Sequence, residues 1–339
     1  MPSIGAWSGG RASTDHSCDE RRREVAAQLD EMGDVHMEAL TIVTVLYRSS
    51  DMLADTLPTW VRSAAGLPVN FIFADNWPED GCEKVIASSL AEDRYAYLPD
   101  SSNPGFAAGC NRAVAAVSNS HVLLLNPDVW LPDDALARIC AAIAEDPGTP
   151  IAVGLAMHGG EYVGIDLNPI SLFIDRPATA MRGPLGPSGG AAVFPTDLFR
   201  RFGGFYEHLF AWGEDADLAF RMYASGLRTR KLDLVLPHAG GHSVEGDNKL
   251  LGFRAFLLAR NRVLVAARTF TWPLMLFAIP LIVLAHCGLA VRRVRQGLLR
   301  PFLRGVVRGL REGPAARRQC SGERFGIASL LGYLRVRRA

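Results

Sequence analysis

The chain has 339 residues, 49% of them apolar and 21% charged, which excludes a disordered or fibrous polymer and leaves one large domain or two ordinary ones. The net charge is +1, yet from Arg292 onward thirteen Arg stand against two Glu, so a basic tail of +11 follows an acidic body. Such asymmetry implies an anionic partner, membrane or nucleic acid. The six Cys are scattered without a CxxC pair, against a zinc ribbon or disulfide framework and in keeping with a reducing compartment.

In chain order, residues 1–38 lack the apolar core of a secretory signal and predict a polar tail. TIVTVLY is a β-branched apolar run and a predicted strand. DMLADTLPTWVRSAAG has helical spacing, with Asp51 as N-cap and Pro58 as an interruption. VNFIFADN predicts a second strand, EKVIASSLAED a helix, RYAYLP a third strand and PGFAAGCNRAVAAVSN an Ala-rich helix with a Gly-rich start. HVLLLNPD is a fourth strand, apolar on both faces. PDDALARICAAIAED predicts a helix and PIAVGLAM a fifth strand. This alternation implies a mostly parallel sheet with helices on both faces.

Regularity fades between His158 and Gly190, a Gly- and Pro-rich stretch that reads as a long functional loop. GGAAVFP then predicts a short strand, TDLFRRFGG a short helix, EDADLAFRMYASG a helix and RTRKLDLVLPH a last strand. A more hydrophobic third part begins near Leu250.

Polar signals recur just beyond strands: Asp75-Asn76, Asn126-Pro127-Asp128, the acids Glu214, Asp215 and Asp217, and His238 to His242. In a parallel sheet such ends converge on one edge, where ligands bind. Each has a plainer reading. Asp75 and the Asn-Pro-Asp stretch could only form turns, Asp217 could only complement a helix dipole, and a loop His is usually just that. Three acids in four positions nevertheless repel one another unless a cation or proton transfer offsets the cost. Together, carboxylates and His match a divalent-cation site with a general base. GxxxxGK, an early GxGxxG and GxSxG are missing, which weakens P-loop, dinucleotide-binding and hydrolase readings.

With these residues assembled, the chain resembles family 2 glycosyltransferases of the GT-A fold, near the bacterial rhamnosyltransferase-like branch. The resemblance rests on IVTVLYRSSDML, FIFADN, NPGFAAGCNRAV, VLLLNPDVWL, GGAAVFPTDLFRRFGGFYEHLFAWGEDADLAFRMYASG and LPHAGGHS, in the family's order over roughly 40–244. It implies an α/β GT-A catalytic domain over 39–249, after the tail of 1–38, and a C-terminal helical region over 250–339. It implies an inverting transfer from a nucleotide-diphospho-sugar, dTDP- or UDP-linked, to a glycan, lipid-linked or small-molecule acceptor. Asp75 would recognise the base beside Tyr47 and Arg48, and Asn103, Gly105 and Asn111 would lie along the donor. Asn126-Pro127-Asp128 stands where the family has Asp-x-Asp, so Asn126 would contact donor and Asp128 would hold Mg²⁺ or Mn²⁺. Glu214-Asp215 matches the family's Glu-Asp pair, with Asp215 as base. His238 would be a second metal ligand, with His242 as the alternative. Arg112 and Arg221 could add positive charge, although Arg221 could equally be a solvated helix residue. The rivals are a sugar-nucleotidyltransferase, which needs a Gly-rich loop after the first strand where LYRSSDML stands, and a non-catalytic binder, which needs no base.

Residues 270–291 are apolar and long enough to span a bilayer, with Arg before and after. RRVRQGLLRPFLRGVVRGLREG follows as a basic amphipathic helix. Three readings stand: a helix lying on the inner face of the cell membrane, packed helices that cover the domain or form a homodimer, and a true span. Nucleic-acid binding is disfavoured, because no aromatic-basic module accompanies the Arg. A cytoplasmic enzyme, peripheral at the membrane, is expected.

Overall fold

The computed structural model describes residues 40–168, 172–180, 183–240, 248–320 and 322–335. The expected tail over 1–38 and His242 lie outside them. The first four strands are β1 (Leu40–Leu46), β2 (Val69–Asp75), β3 (Tyr95–Pro99) and β4 (His121–Leu125). They pair in parallel in the order β3-β2-β1-β4. Between them lie α1 (Ser50–Ser63), α2 (Cys82–Ser89) and α3 (Phe106–Ala115).

Beyond β4 the sheet changes character. After α4 (Ala135–Glu145) come β5 (Ile151–Met157), β6 (Gly160–Asn168), β7 (Leu172–Pro177) and β8 (Ala191–Pro195). β8 lies antiparallel between β4 and β5, and β6 and β7 continue antiparallel to the edge. Helices α5 (Thr196–Arg201) and α6 (Glu214–Ala224) precede β9 (Arg230–Pro237), which runs parallel to β5. The sheet is therefore mixed: the parallel expectation holds from β3 to β4 and for the β5–β9 pair. The long loop expected over His158–Gly190 contains the β6–β7 pair. Gly160, Gly164 and Pro177 gave this stretch the composition of a loop. Gly164 sits at φ +66, where a Cβ would lie 2.4 Å from the Gly186 carbonyl, so the glycine serves a close backbone approach within the strand.

Alternate residues of β1 face opposite cores, as strand geometry requires. Leu40, Ile42 and Leu46 pack with α1, α2 and α4; Val43 and Val45 pack with α3, α5 and α6. Helices thus cover both faces. Pro58 does not interrupt α1. Proline inside a helix costs about 3 kcal/mol, which the burial of Leu53, Leu57 and Trp60 offsets.

The last third consists of α7 (Asn248–Thr269), α8 (Trp272–Arg295), α9 (Leu299–Arg318) and α10 (Ile327–Arg335). A third core joins Ile165 of β6 and Phe220 of α6 to Leu264, Phe270, Phe325 and Tyr333. Arg221 lies inside this region, not on a solvated face. Its guanidinium bonds Asp217 and the Phe202 and Gly204 carbonyls, and Arg268 of α7 closes on the other oxygen of Asp217 at 2.7 Å. Asp217 is thus a buried ion-pair centre joining α6 to α7.

Candidate active site

The carboxyl ends of β1, β2, β4 and β9 and the start of β8 share one sheet edge, as the registers Leu46↔Asp75, Leu125↔Ala191 and Ala156↔Pro237 require. Nearly every residue singled out by position in the sequence lies along it.

The Asn-Pro-Asp turn is built from below and from the side. Thr56 and Trp60 of α1 donate to the carbonyls of Pro127 and Val129, each at 2.7 Å. Ala239 N–H donates to the Asp128 carbonyl at 3.0 Å, and Trp130 N–H to that of Pro237 at 2.9 Å. These bonds tie the turn to the end of β9 and bring His238 Nε2 to 2.9 Å from Asp128 Oδ1. Both side chains are largely buried. That contact is a hydrogen bond, and a carboxylate oxygen beside an imidazole nitrogen is a donor pair that would help hold a divalent cation. His238 Nδ1 is buried without a hydrogen-bond partner among the described residues. Those residues offer no group of three or more His, Cys, Asp or Glu that could hold a metal. Asp128 and His238 would therefore supply two positions and leave the others to phosphate and water, the usual habit of Mg²⁺.

Asn126 N–H donates to the Gly190 carbonyl at 3.0 Å, and Gly189 N–H donates to Asp215 Oδ2 at 3.0 Å. The turn, the Gly189-Gly190 step and the start of α6 are thus contiguous. Asp215 Oδ1 accepts from Ala216 N–H at 2.7 Å. Burial pushes the Asp215 carboxyl up to about 6, against the lowering effect of the Gly189 N–H bond and with a further rise from Asp175. A carboxylate poised just below neutral pH suits a general base.

Glu214 does something different. It is buried, its Oε2 has no hydrogen-bond partner among the described residues, and burial together with the Asp215 charge raises it well above the ordinary range. It sits near enough to Cys110 of α3 to raise that thiol as well. Glu214 is thus a buried acid whose surroundings favour its protonated form.

Along the β1–β2 part of the edge, Asp75 is 0% exposed. Its oxygens accept from Tyr97 hydroxyl at 2.7 Å and Trp77 N–H at 2.8 Å, and burial raises its pKa. The surface beside it is formed by Tyr47, Arg48 and Trp77. The Arg48 guanidinium stands 5.0 Å from the Trp77 ring centre and 5.5 Å from that of Tyr47. Trp77 was missed from sequence, although an aromatic residue two positions after a strand-end acid was a usable signal. Gly105 has φ +96, and a Cβ there would meet the Phe210 ring at 2.6 Å. Asn103, also at positive φ, lies in the loop that leads there from Asp100, whose N–H donates to the Asp75 carbonyl at 2.7 Å. Asn111 points elsewhere: its amide bonds the Phe205 backbone and Glu207. Arg112 is held by Asp100 and the Leu98 carbonyl.

Two further residues escaped the sequence reading. Asp175 of β7, exposed to solvent, is within electrostatic reach of His238, Asp215 and Arg254 of α7. Asn261 of α7, fully buried, donates from one amide nitrogen toward the carbonyls of Leu209, Ala211 and Trp212 at 2.8–2.9 Å. That loop holds Phe210 and Trp212 at positive φ just before α6, a strained conformation that needs such support.

Residues 41–202 match the family model described as Glycosyl transferase family 2. Those residues, a little under half of the chain, are similar to that family. The matched range contains Asp75, Asn103, Gly105 and Asp128, while Asp215 and His238 lie beyond it. No curated protein matches the chain significantly. Among solved structures, the chain is similar to a mannosyltransferase from Pyrobaculum calidifontis in complex with GDP-Man and Mn²⁺. Identity is 14%, with 87% of this chain and 94% of that one covered and a TM-score of 0.53. GalNAc-T7 with UDP, GalNAc and Mn²⁺ is similar at 13% identity over 70% of this chain and 49% of that one, TM-score 0.53. S. aureus TarS 1–349 in complex with UDP-GlcNAc is similar at 13% identity over 67% and 66%, TM-score 0.50. At these identities the likeness shows the fold alone, a GT-A fold.

Proposed function

We propose that this protein is a metal-dependent, inverting glycosyltransferase that moves a sugar from a nucleotide-diphospho-sugar to an acceptor hydroxyl. The observation that carries the reading is the joint presence, at one sheet edge, of the Asp128–His238 pair and of Asp215 with its carboxyl raised to about 6. A purely binding protein has no use for such a base.

The nucleoside would rest against Tyr47, Arg48 and Trp77, and its diphosphate along Asn103 to Gly105 toward Asn126. Asp128 and His238 would hold Mg²⁺ or Mn²⁺, which supplies charge to offset the departing diphosphate. Gly189 and Ala216 N–H groups fix the Asp215 carboxylate. Asp215 then removes the acceptor hydroxyl proton as that oxygen attacks the anomeric carbon. The new glycosidic bond forms, the bond to phosphate breaks, and the nucleoside diphosphate leaves from the opposite face with inversion. The Asn-Pro-Asp variant and the branch resemblance favour a deoxyhexose donor such as dTDP-rhamnose, ahead of UDP-sugars.

Nucleotide release is the direct test. dTDP-rhamnose and UDP-sugars are incubated with the protein, with Mn²⁺ or with EDTA, and free diphosphate is measured. EDTA-sensitive release of nucleoside diphosphate from one donor is expected. Release of pyrophosphate from a sugar phosphate and a nucleoside triphosphate would instead identify a nucleotidyltransferase. Binding without release, under all acceptors tried, would leave a binding protein.

A further inference from the structure

The geometry of the last three long helices points to an interaction surface for an anionic bilayer. α8 is 24 residues long, about 36 Å at 1.5 Å per residue, and only 11% of its most apolar stretch is buried. Leu274 and Ala285 face the protein, while Leu276, Phe277, Val283, Leu284 and Val291 stand open to solvent, Leu276 and Phe277 at 67% exposure. An apolar face of this size has no partner among the described residues.

The ends of α8 decide between lying on a bilayer and crossing it. Its start is fixed to the domain: Thr271 N–H donates to the Phe325 carbonyl at 3.1 Å, and Phe325 N–H to that of Thr269 at 2.7 Å. After its end at Arg295 the chain turns at Gly297 into α9, which returns along α7. Gly305, Gly309 and Gly313 form the contact stripe; a Cβ on Gly305 would lie 2.2 Å from the Phe256 carbonyl, and one on Gly309 2.8 Å from that of Arg260. α9 therefore starts beside the first half of α7 and ends near its last turn, where Arg317 bonds the Ala267 and Phe270 carbonyls. Both ends of α8 sit on one folded body, so the helix lies lengthwise along the α7–α9 pair. A crossing would carry one end away from it.

Charge complements the apolar face. The outer side of α9 presents Arg300, Arg304, Arg308 and Arg311, all exposed, and α8 ends in Arg292, Arg293 and Arg295. Between the two helices and α7 lies a recess of about 780 Å³ with Phe256, Val294 and Leu299 in its wall and Arg300, Arg304 and Arg311 among its cations. Apolar walls beneath guanidinium groups suit lipid phosphates above acyl chains.

We propose that α8 and α9 dock this protein on the phosphate-bearing surface of an anionic membrane, with α8 in the interface plane and lipid phosphates at the Arg-lined recess. The surface adjoins the active site. Phe256 of the recess stacks on Phe253, Phe253 meets Phe210 edge-on at 5.5 Å, and Phe210 covers Gly105. Arg254, which acts on Asp175 in the site, also acts on Arg293 at the end of α8. Docked so, the site opens beside the bilayer and suits an acceptor carried there; this last step alone rests on the transferase reading.

The test is flotation of the full chain with vesicles of phosphatidylcholine alone or of equal parts phosphatidylcholine and phosphatidylglycerol. Binding is expected only to the anionic vesicles, falling with salt and reversed by alkaline carbonate. Replacing Arg300, Arg304 and Arg311 by Gln should weaken partition on the order of 100-fold. Leu276→Glu with Phe277→Glu should abolish it, with circular dichroism unchanged because both sites are open. Failure to float with anionic vesicles, resistance to carbonate, or normal flotation of either variant overturns the proposal. So does a concentration-dependent dimer, broken by the same Leu276 and Phe277 changes, in a protein that binds no vesicle. Donor cleavage is measured separately, so flotation without cleavage would refute the transferase and leave the docking surface standing.

Discussion

His238 Nε2 stands 2.9 Å from Asp128 Oδ1 across 110 residues of chain. The pairing is not a chance meeting of side chains, because the Val129–His238 bridge and the Ala239-to-Asp128 backbone bond fix both main chains. If the pair binds a cation, Asp128→Ala and His238→Ala should each weaken Mn²⁺-assisted nucleotide binding by at least 10-fold, since loss even of outer-shell partners costs roughly 10–100-fold. The double variant should lose much less than the product of the two, because one site is destroyed either way. Calorimetric titration of nucleoside diphosphate with and without Mn²⁺ reads both effects. Metal-dependent binding that survives in the double variant would move the cation elsewhere.

Asp215→Asn keeps the shape of the carboxylate but removes the base. Transfer should fall by roughly 10²–10⁴, while donor affinity stays within about two-fold of the wild type, since the two functions use different residues. Only the ionised carboxylate accepts the proton. With its carboxyl raised to about 6, the rate should therefore climb through that pH and level off above it. A pH–rate profile at saturating donor checks the limb; an unchanged limb in Asp215→Asn would assign it to another group.

Glu214 makes a prediction about stability rather than turnover. Its folded pKa is raised well above 4.5 by burial and the Asp215 charge, so between the unfolded and folded values the native state holds a proton that the unfolded chain has lost. The stability tied to that proton is fully present below about 4.5 and declines as pH rises toward the folded pKa, by about 1.4 kcal/mol per pH unit. Glu214→Gln removes the titration and keeps the size. Urea midpoints measured from pH 5 to pH 8 should fall less steeply in Glu214→Gln than in the wild type. Parallel slopes would mean that Glu214 is ionised in the fold.

The site could be read from sequence where a residue's place followed from a nearby pattern. The apolar run Val122–Leu125 had to be a strand, so Asp128 had to stand at its end, and the same reasoning reached Asp75 and His238. Residues whose roles depend on distant partners were not legible. Arg221 could be read as solvated because its partners besides Asp217 are backbone carbonyls of Phe202 and Gly204, 19 and 17 residues before it. Asp175 sits on a strand disguised by glycine and proline, so nothing local marked it as facing the site. Asn111 fits the family pattern, yet the partners that take up its amide lie about the Phe205 turn, 94 residues on. Fold class needed only periodicity, whereas the antiparallel half of the sheet depended on pairings that periodicity does not encode.

Asn261 ties the last third of the chain to the loop that leads into α6. Its amide nitrogen lies 2.8–2.9 Å from the carbonyls of Leu209, Ala211 and Trp212, sharing two hydrogens among three acceptors. The loop so held carries Phe210, which covers Gly105 on the donor side and accepts from Ala107 N–H at 3.0 Å, and leads directly into Glu214-Asp215. Asn261→Ala would leave three buried carbonyls without this donor in a segment already strained at Phe210 and Trp212. A lost bond to a buried group costs about 1–3 kcal/mol, so the melting temperature should drop by several degrees. Because the loop touches both the donor loop and the base, KM for donor should rise and kcat should fall together, unlike the kcat-only loss expected of Asp215→Asn. Asn261→Asp supplies an acceptor where a donor is needed and should be worse than alanine. Donor-saturation kinetics on the two Asn261 variants separate the possibilities: normal kcat and KM in a merely less stable protein would confine Asn261 to holding the helices together.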